Sequence, residues 1–156
     1  MVNVKFKKLD DRASIPQYAH VGDAGLDVKC IDVEYDKEHD MYIYHTGLAC
    51  ETPSGYAILG FMRSSNCKTD CYLTNGVGII DSAIYRGEIQ FRLKNRTALD
   101  PLFRDDEEIT LAHAPYNTGD RIGQLMIIKL LDVCIEEANE LSDSVRGENG
   151  FGSSGK

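Results

Sequence analysis

A chain of 156 residues, 42% of them hydrophobic and 27% charged, is long enough for one sizeable core and has the composition of an ordinary globular domain. The formal net charge of −8 argues against general, sequence-independent binding to nucleic acid, but not against a small anionic ligand met by local arginines or a divalent cation. No apolar stretch approaches the length of a bilayer span, and the opening MVNVKFKKLDDR lacks the apolar run of a secretory signal, so the expected location is the cytoplasm, or the host-cell interior for a phage or viral chain.

Val2, Val4 and Phe6 alternate with Asn3, Lys5 and Lys7, which predicts a half-buried strand. Residues 10–17 are polar, contain Ile15-Pro16 and read as a loop. Gly22-Asp23-Ala24-Gly25 leads from a turn into a strand at Leu26-Asp27-Val28. Residues 31–44 predict two short strands around a charged turn at 36–40, and residues 46–50 predict another strand. Thr52-Pro53-Ser54-Gly55 is a turn. A strand at 57–62 runs into Arg63-Ser64-Ser65, and residues 66–72 are expected to form one or two turns of helix. Residues 73–94 are expected to form a central hairpin whose Asn75-Gly76 reversal rests on both residues tolerating positive φ, and whose last strand alternates over 88–94. A polar surface insertion is expected over 97–116. Gly119-Asp120-Arg121 is a turn before an apolar strand at 125–135, and residues 136–144 have room for a helical turn. The glycine-rich end, RGENGFGSSGK, is too poor in apolar residues to fold alone, so the chain divides into one domain at 1–145 and a flexible arm at 146–156. Many short strands between turn signals, and almost no amphipathic helix, indicate an all-β sandwich or jelly roll.

Five cysteines, Cys30, Cys50, Cys67, Cys71 and Cys134, cannot all pair within the chain, and there is no Cys-x-x-Cys. The histidines His20, His39, His45 and His113 lie apart. Reduced thiols are therefore expected, rather than disulfides or a zinc site.

The segment 75–88, NGVGIIDSAIYRGE, carries the densest chemistry. Asp81 follows the apolar run 77–80. A carboxylate at the end of a buried strand is held by its neighbours and partly desolvated, and both properties suit a general base. Tyr85 offers a flat face and Arg86 a cation. A plain hairpin with a capping Asp and a half-buried Tyr reads equally well here. Arg63-Ser64-Ser65 stands where a strand gives way to a helix start, a place to cradle phosphate, or simply a Ser cap beside a surface Arg. Residues 150–156, GFGSSGK, match the first seven positions of a P-loop, yet no Ser or Thr and no helix follow. They read better as a mobile arm in which Ser153 and Ser154 bond phosphate oxygens, Arg146 pairs with one, and Phe151 lies flat on a base.

Together these segments resemble the trimeric deoxyuridine triphosphatases (dUTP diphosphatases), whose five motifs occur here in order. Asp23-Ala24-Gly25-Leu26-Asp27 is similar to the first, Arg63-Ser64-Ser65 to the second, and residues 75–88 to the third. Gly119-Asp120-Arg121-Ile122-Gly123-Gln124 is similar to the fourth and residues 146–155 to the fifth. The resemblance implies a β-clip jelly-roll subunit in a homotrimer with shared active sites. It implies Mg²⁺ carried by the triphosphate and waters rather than held directly, and hydrolysis of dUTP to dUMP and pyrophosphate, which limits uracil incorporation into DNA and supplies dUMP. By position Asp81 would deprotonate the attacking water. Asn75 and the backbone of Gly78, Ile79 and Ile80 would read uracil, and Tyr85 would stack under the deoxyribose. Arg63, Ser64, Ser65 and Gln124 would bind phosphates. Arg146, Ser153 and Ser154 would close on the γ-phosphate while Phe151 covers the base, and Asp27 would sit near the metal's water shell or brace the site.

Three departures from the family stand out. Ser82, Ala83 and Ile84 separate Asp81 from Tyr85 where the family usually has two residues, an extra residue that a bulge is expected to absorb, and Ile84 replaces the usual acidic residue. The segment between the third and fourth motifs is long, and Met62 replaces a common Pro. Related dCTP deaminases share the Arg-Ser-Ser step but place a catalytic Glu three positions before an Asn. Counting back from Asn95 gives Arg92, which cannot act as that base. A third reading is a dUTPase-like trimer whose main role is partner recognition.

Overall fold

The computed structural model describes residues 1–95 and 114–149. In chain order the strands are β1 (Lys5–Lys8), β2 (Leu26–Lys29), β3 (Asp32–Asp36), β4 (Met41–His45), β5 (Leu48–Glu51), β6 (Tyr56–Met62), β7 (Cys71–Leu73), β8 (Gly78–Ile80), β9 (Gln90–Asn95) and β10 (Arg121–Lys129). Two four-stranded antiparallel sheets have the orders β2-β10-β6-β8 and β3-β4-β9-β7, and β1 pairs with β5. No helix among the described residues is long and apolar enough to cross a membrane. The fold is the jelly-roll-like all-β architecture that the sequence indicates.

Alternation builds the core. In β9, Phe91 and Leu93 are buried while Arg92 between them is exposed. Tyr44, Leu48, Ile58, Leu93, Ile122 and Leu125 are wholly buried. Phe91 of one sheet packs against bare backbone of the other. A Cβ placed on Gly123 of β10 would stand 2.1 Å from Phe91 Cε1 and 2.9 Å from the Phe61 carbonyl oxygen. Gly123→Ala is therefore expected to overpack the core by about 2 kcal/mol and lower Tm by about 4–8 °C in a thermal melt. An unchanged Tm would show that Phe91 shifts without cost.

Several expectations are corrected. The first strand starts at Lys5, not Val2, because pairing with β5 begins at Glu51. The helix is a 3₁₀ segment, Ser64–Lys68, and Cys71-Tyr72-Leu73 is strand instead, recruited by β9. The central segment is no hairpin. β7 pairs with β9, whereas β8 crosses to the other sheet and pairs with β6. Only Gly76 takes a positive φ, 68°; Asn75 does not. The apolar strand begins at Arg121 and ends at Lys129, opposite Tyr56 where its partner β6 begins. Residues 130–145 carry no helical turn. Most of the expected 97–116 insertion lies outside the described residues, but Tyr116 is buried and belongs to the core. Its ring sits edge-on to Tyr44 at 5.9 Å, and its hydroxyl donates to Asn66 Oδ1 at 3.0 Å.

All five cysteines are free. Burial pushes the Cys50 and Cys71 thiols up to about 11.

Candidate active site

Among the described residues β8 is an edge strand, paired with β6 on one side through Ile58↔Ile80, Leu59↔Ile79 and Gly60↔Gly78. It reaches that edge through a tight reversal in which the Gly76 N–H donates to the Leu73 carbonyl at 2.9 Å. Between β8 and the start of β9 lies a cavity of about 380 Å³, lined by Asn75, Gly78, Ile79, Ile80, Asp81 and Tyr85. All six are residues that the sequence puts forward, and the structure brings them together. Arg92 and Gln90 also line the cavity and are not among the residues that the sequence puts forward. Arg92 was weighed only as a failed base; its Nη2 donates to Gln90 Oε1 at 3.1 Å.

Asp81 is not partly desolvated, as the sequence suggests, but exposed. The apolar run before it is not a buried strand, since an edge position leaves Ile79 71% exposed. The Asp81 carboxylate has no hydrogen-bond partner among the described residues, so it is free to accept one from a water. Its backbone is fixed. The Asp81 carbonyl accepts from the N–H groups of Ile84 at 2.9 Å and Tyr85 at 2.7 Å. The extra residue is thus absorbed in a closed five-residue turn, 81–85, rather than in a bulge. Ser82, wholly buried, anchors the turn from inside: its hydroxyl meets Thr52 Oγ1 at 2.7 Å, and the Thr52 N–H donates to its carbonyl at 3.2 Å.

Tyr85 folds back over Gly87. A Cβ there would stand 2.4 Å from Tyr85 Cζ, so only glycine admits the ring. The Tyr85 hydroxyl donates to the Glu88 carbonyl at 3.3 Å. The Glu88 side chain is itself held, by the Gly47 N–H at 2.7 Å and by His45 Nδ1 at 2.8 Å. Burial is the largest single influence and opposes charge on both partners, but Glu88 and Glu34 around His45, and His45, the Gly47 N–H and Gln90 around Glu88, together outweigh it, so the His45 pKa is raised and that of Glu88 lowered.

A second group forms around Asp27. Its Oδ1 accepts from Arg63 Nε at 3.1 Å and its Oδ2 from Arg121 Nη1 at 2.9 Å. Arg63 occupies the cap position of the 3₁₀ segment, so the reading of a Ser cap beside a surface Arg does not hold. Its guanidinium is braced by Asp27 and approaches Ser65 Oγ at 3.5 Å, with Ser64 exposed beside it. Gln124 pairs in register with Asp27, and its side chain lies where a Cβ on Gly25 would meet Oε1 at 2.7 Å. The glycine of the first motif therefore makes room for the glutamine of the fourth. The role of Arg121 was missed; the Asp-Arg pair in its turn reads from sequence as solvated charge.

The two groups lie at opposite ends of β6. Asp81 follows the Ile58↔Ile80 pair, whereas Arg63 follows Met62, which pairs with Gly123. Arg146 is exposed and its Nε donates to the Asn149 carbonyl at 2.8 Å, within its own loop. Phe151, Ser153 and Ser154 lie outside the described residues.

The chain matches the dUTPase family over residues 11–155. It is 37% identical over 155 residues to the deoxyuridine 5'-triphosphate nucleotidohydrolase of Trichodesmium erythraeum, covering 99% of each chain. It is 36% identical over 156 residues to that of Clostridium acetobutylicum, covering 99% of this chain and 98% of the other. Among solved structures it resembles the Staphylococcus bacteriophage 80alpha dUTPase with dUPNHPP, with a TM-score of 0.79, 28% identity and 99% of each chain covered.

Proposed function

Because this chain belongs to the dUTPase family and hydrolyses dUTP to dUMP and pyrophosphate, we propose that its active site is completed between the subunits of a homotrimer, with Asp81 as the general base. The observation that carries this reading is the separation along β6. About six residues at ~3.3 Å each put roughly 20 Å between Asp81 and Arg63 of one chain. The phosphates of one substrate, attacked at the α-phosphorus beside Asp81, do not reach that far. A neighbouring subunit's Arg63, Ser64, Ser65 and Gln124 would supply the cradle.

In this reading Asp81 takes a proton from the water as its oxygen bonds to the α-phosphorus. The bond from that phosphorus to the α–β bridging oxygen breaks, and pyrophosphate leaves. Asn75 and the outer backbone edge of Gly78, Ile79 and Ile80 read uracil, since an edge strand turns part of its N–H and C=O groups outward. Cytosine presents the wrong donors and acceptors, and the thymine methyl does not fit. Tyr85 stacks under the deoxyribose and leaves no room for a ribose 2′-hydroxyl. Residues 1–145 form the catalytic domain, and residues 146–156 form the lid. There Arg146, Ser153 and Ser154 close on the γ-phosphate and Phe151 covers the base.

The family uses a divalent metal, and Mg²⁺ fits this donor set as an ion brought by substrate. Both oxygens of Asp27 are already engaged by guanidiniums, so Asp27 braces Arg63 rather than ligating directly. No group of three or more His, Cys, Asp or Glu among the described residues forms a cage. When bound, the ion neutralises charge on the triphosphate while keeping most of its waters.

Subunit complementation tests the shared site. Asp81→Asn and Arg63→Ala chains are each expected to be inactive alone. Co-expressed, they are expected to recover about a quarter of wild-type turnover, the statistical share of sites holding both intact residues. No recovery in verified mixed trimers would place Asp81 and Arg63 in the same chain's site.

A further inference from the structure

Arg86 belongs to no role assigned so far, yet its guanidinium binds the 81–85 turn that carries two of the cavity's lining residues, Asp81 and Tyr85. Nη1 donates to the Ser82 carbonyl at 2.9 Å and to the Tyr85 carbonyl at 2.9 Å, and Nη2 donates to the Ala83 carbonyl at 3.1 Å. Nη2 also lies 3.4 Å from Glu51 Oε2 on β5. Three carbonyls of one five-residue turn therefore converge on one planar cation. The inner side of the turn is held separately, by the buried pair Ser82 and Thr52.

We propose that Arg86 is a positioning residue for sugar discrimination, fixing the outer side of the 81–85 turn so that the Tyr85 ring stays folded over Gly87. The proposal rests on the reading of Tyr85 as the platform for deoxyribose. Asp81 and Tyr85 stand at the two ends of the turn, but they are not held alike. Asp81 is followed directly by the buried Ser82 anchor, whereas among the described residues Tyr85 is held by its own N–H, its hydroxyl on the Glu88 carbonyl and the Arg86 clamp. The turn also carries one residue more than the usual family spacing. A guanidinium suits the task because its donors form a rigid fork, whereas one ammonium cannot span three carbonyls of fixed direction. The Arg86 side chain is 48% exposed, so its removal leaves no buried hole.

The test uses the full-length protein in its native assembly, with kcat/KM measured for dUTP and UTP and Tm recorded for each variant. Arg86→Gln is expected to lower the dUTP/UTP ratio of kcat/KM about tenfold, with kcat for dUTP within about threefold of wild type and Tm within a few degrees. Arg86→Lys is expected to fall between, and it carries the test should Arg86→Gln not fold. The double variant Arg86→Gln/Tyr85→Ala is expected to show no poorer ratio than Tyr85→Ala alone, because both changes act through one ring. If Tyr85→Ala lowers the ratio and Arg86→Gln does not, or lowers only kcat or Tm, the positioning role is overturned. If Tyr85→Ala itself leaves the ratio unchanged, the sugar-platform reading fails, and the inference built on it fails too.

Discussion

Asp81→Asn is expected to lower kcat for dUTP by about 10²–10⁴-fold while KM changes little and Tm stays at the wild-type value. The replacement keeps shape and polarity but cannot accept the proton that the water must lose. The usual objection to such a variant, that it breaks the fold, has little force here. Asp81 is exposed, and what anchors it is its carbonyl, held by Ile84 and Tyr85, and the buried Ser82 beside it. An asparagine leaves all of that in place. Turnover is read as pyrophosphate release, and binding with a non-hydrolysable analogue. A variant that keeps more than about a tenth of wild-type turnover would remove Asp81 from the role of base.

Ending the chain at Val145 is expected to cost about as much, for a different reason. In the proposed reading, the loss of residues 146–156 takes away a cation and two hydroxyls for the γ-phosphate and the aromatic cover of the base. Donors to a charged phosphoryl group are worth about 10²–10³-fold each in favourable cases. Among the described residues of the arm, 146–149 are exposed and Arg146 bonds within its own loop, away from the core. Tm and the sedimentation coefficient are therefore expected to match the full chain, with turnover close to background. Wild-type turnover by the truncated protein would refute the lid assignment.

Strands with clear alternation were legible in the sequence. The 31–44 segment does form β3 and β4 around its charged turn, and residues 57–62 do lie within β6. Failures came where pairing partners, not local pattern, decide the outcome. Val77 to Ile80 has the composition of a buried strand, but which sheet takes it is set by β6, and β6 leaves it on an edge. The candidate site residues stand in the sequence as types in order, but their distribution in space was not legible there. No periodicity reports that Arg63 and Asp81 fall at opposite ends of one strand, that Gly25 is bare for Gln124, or that Arg121 shares Asp27 with Arg63. The extra residue before Tyr85 was visible, but its accommodation depends on Thr52, thirty positions away in sequence from the Ser82 it holds.

On the proposed shared site, the length of β6 would give this protein a dependence that its chemistry alone would not. If the base and the phosphate cradle of one working site come from different polypeptides, specific activity becomes a function of protein concentration, falling on dilution as the assembly comes apart even though every polypeptide stays folded. A damaged copy is then not simply idle. In a mixed population it enters the assembly, spoils the half-site it contributes and lends out the half it still has, so that two different defects can mask each other while one defect in excess poisons its intact neighbours.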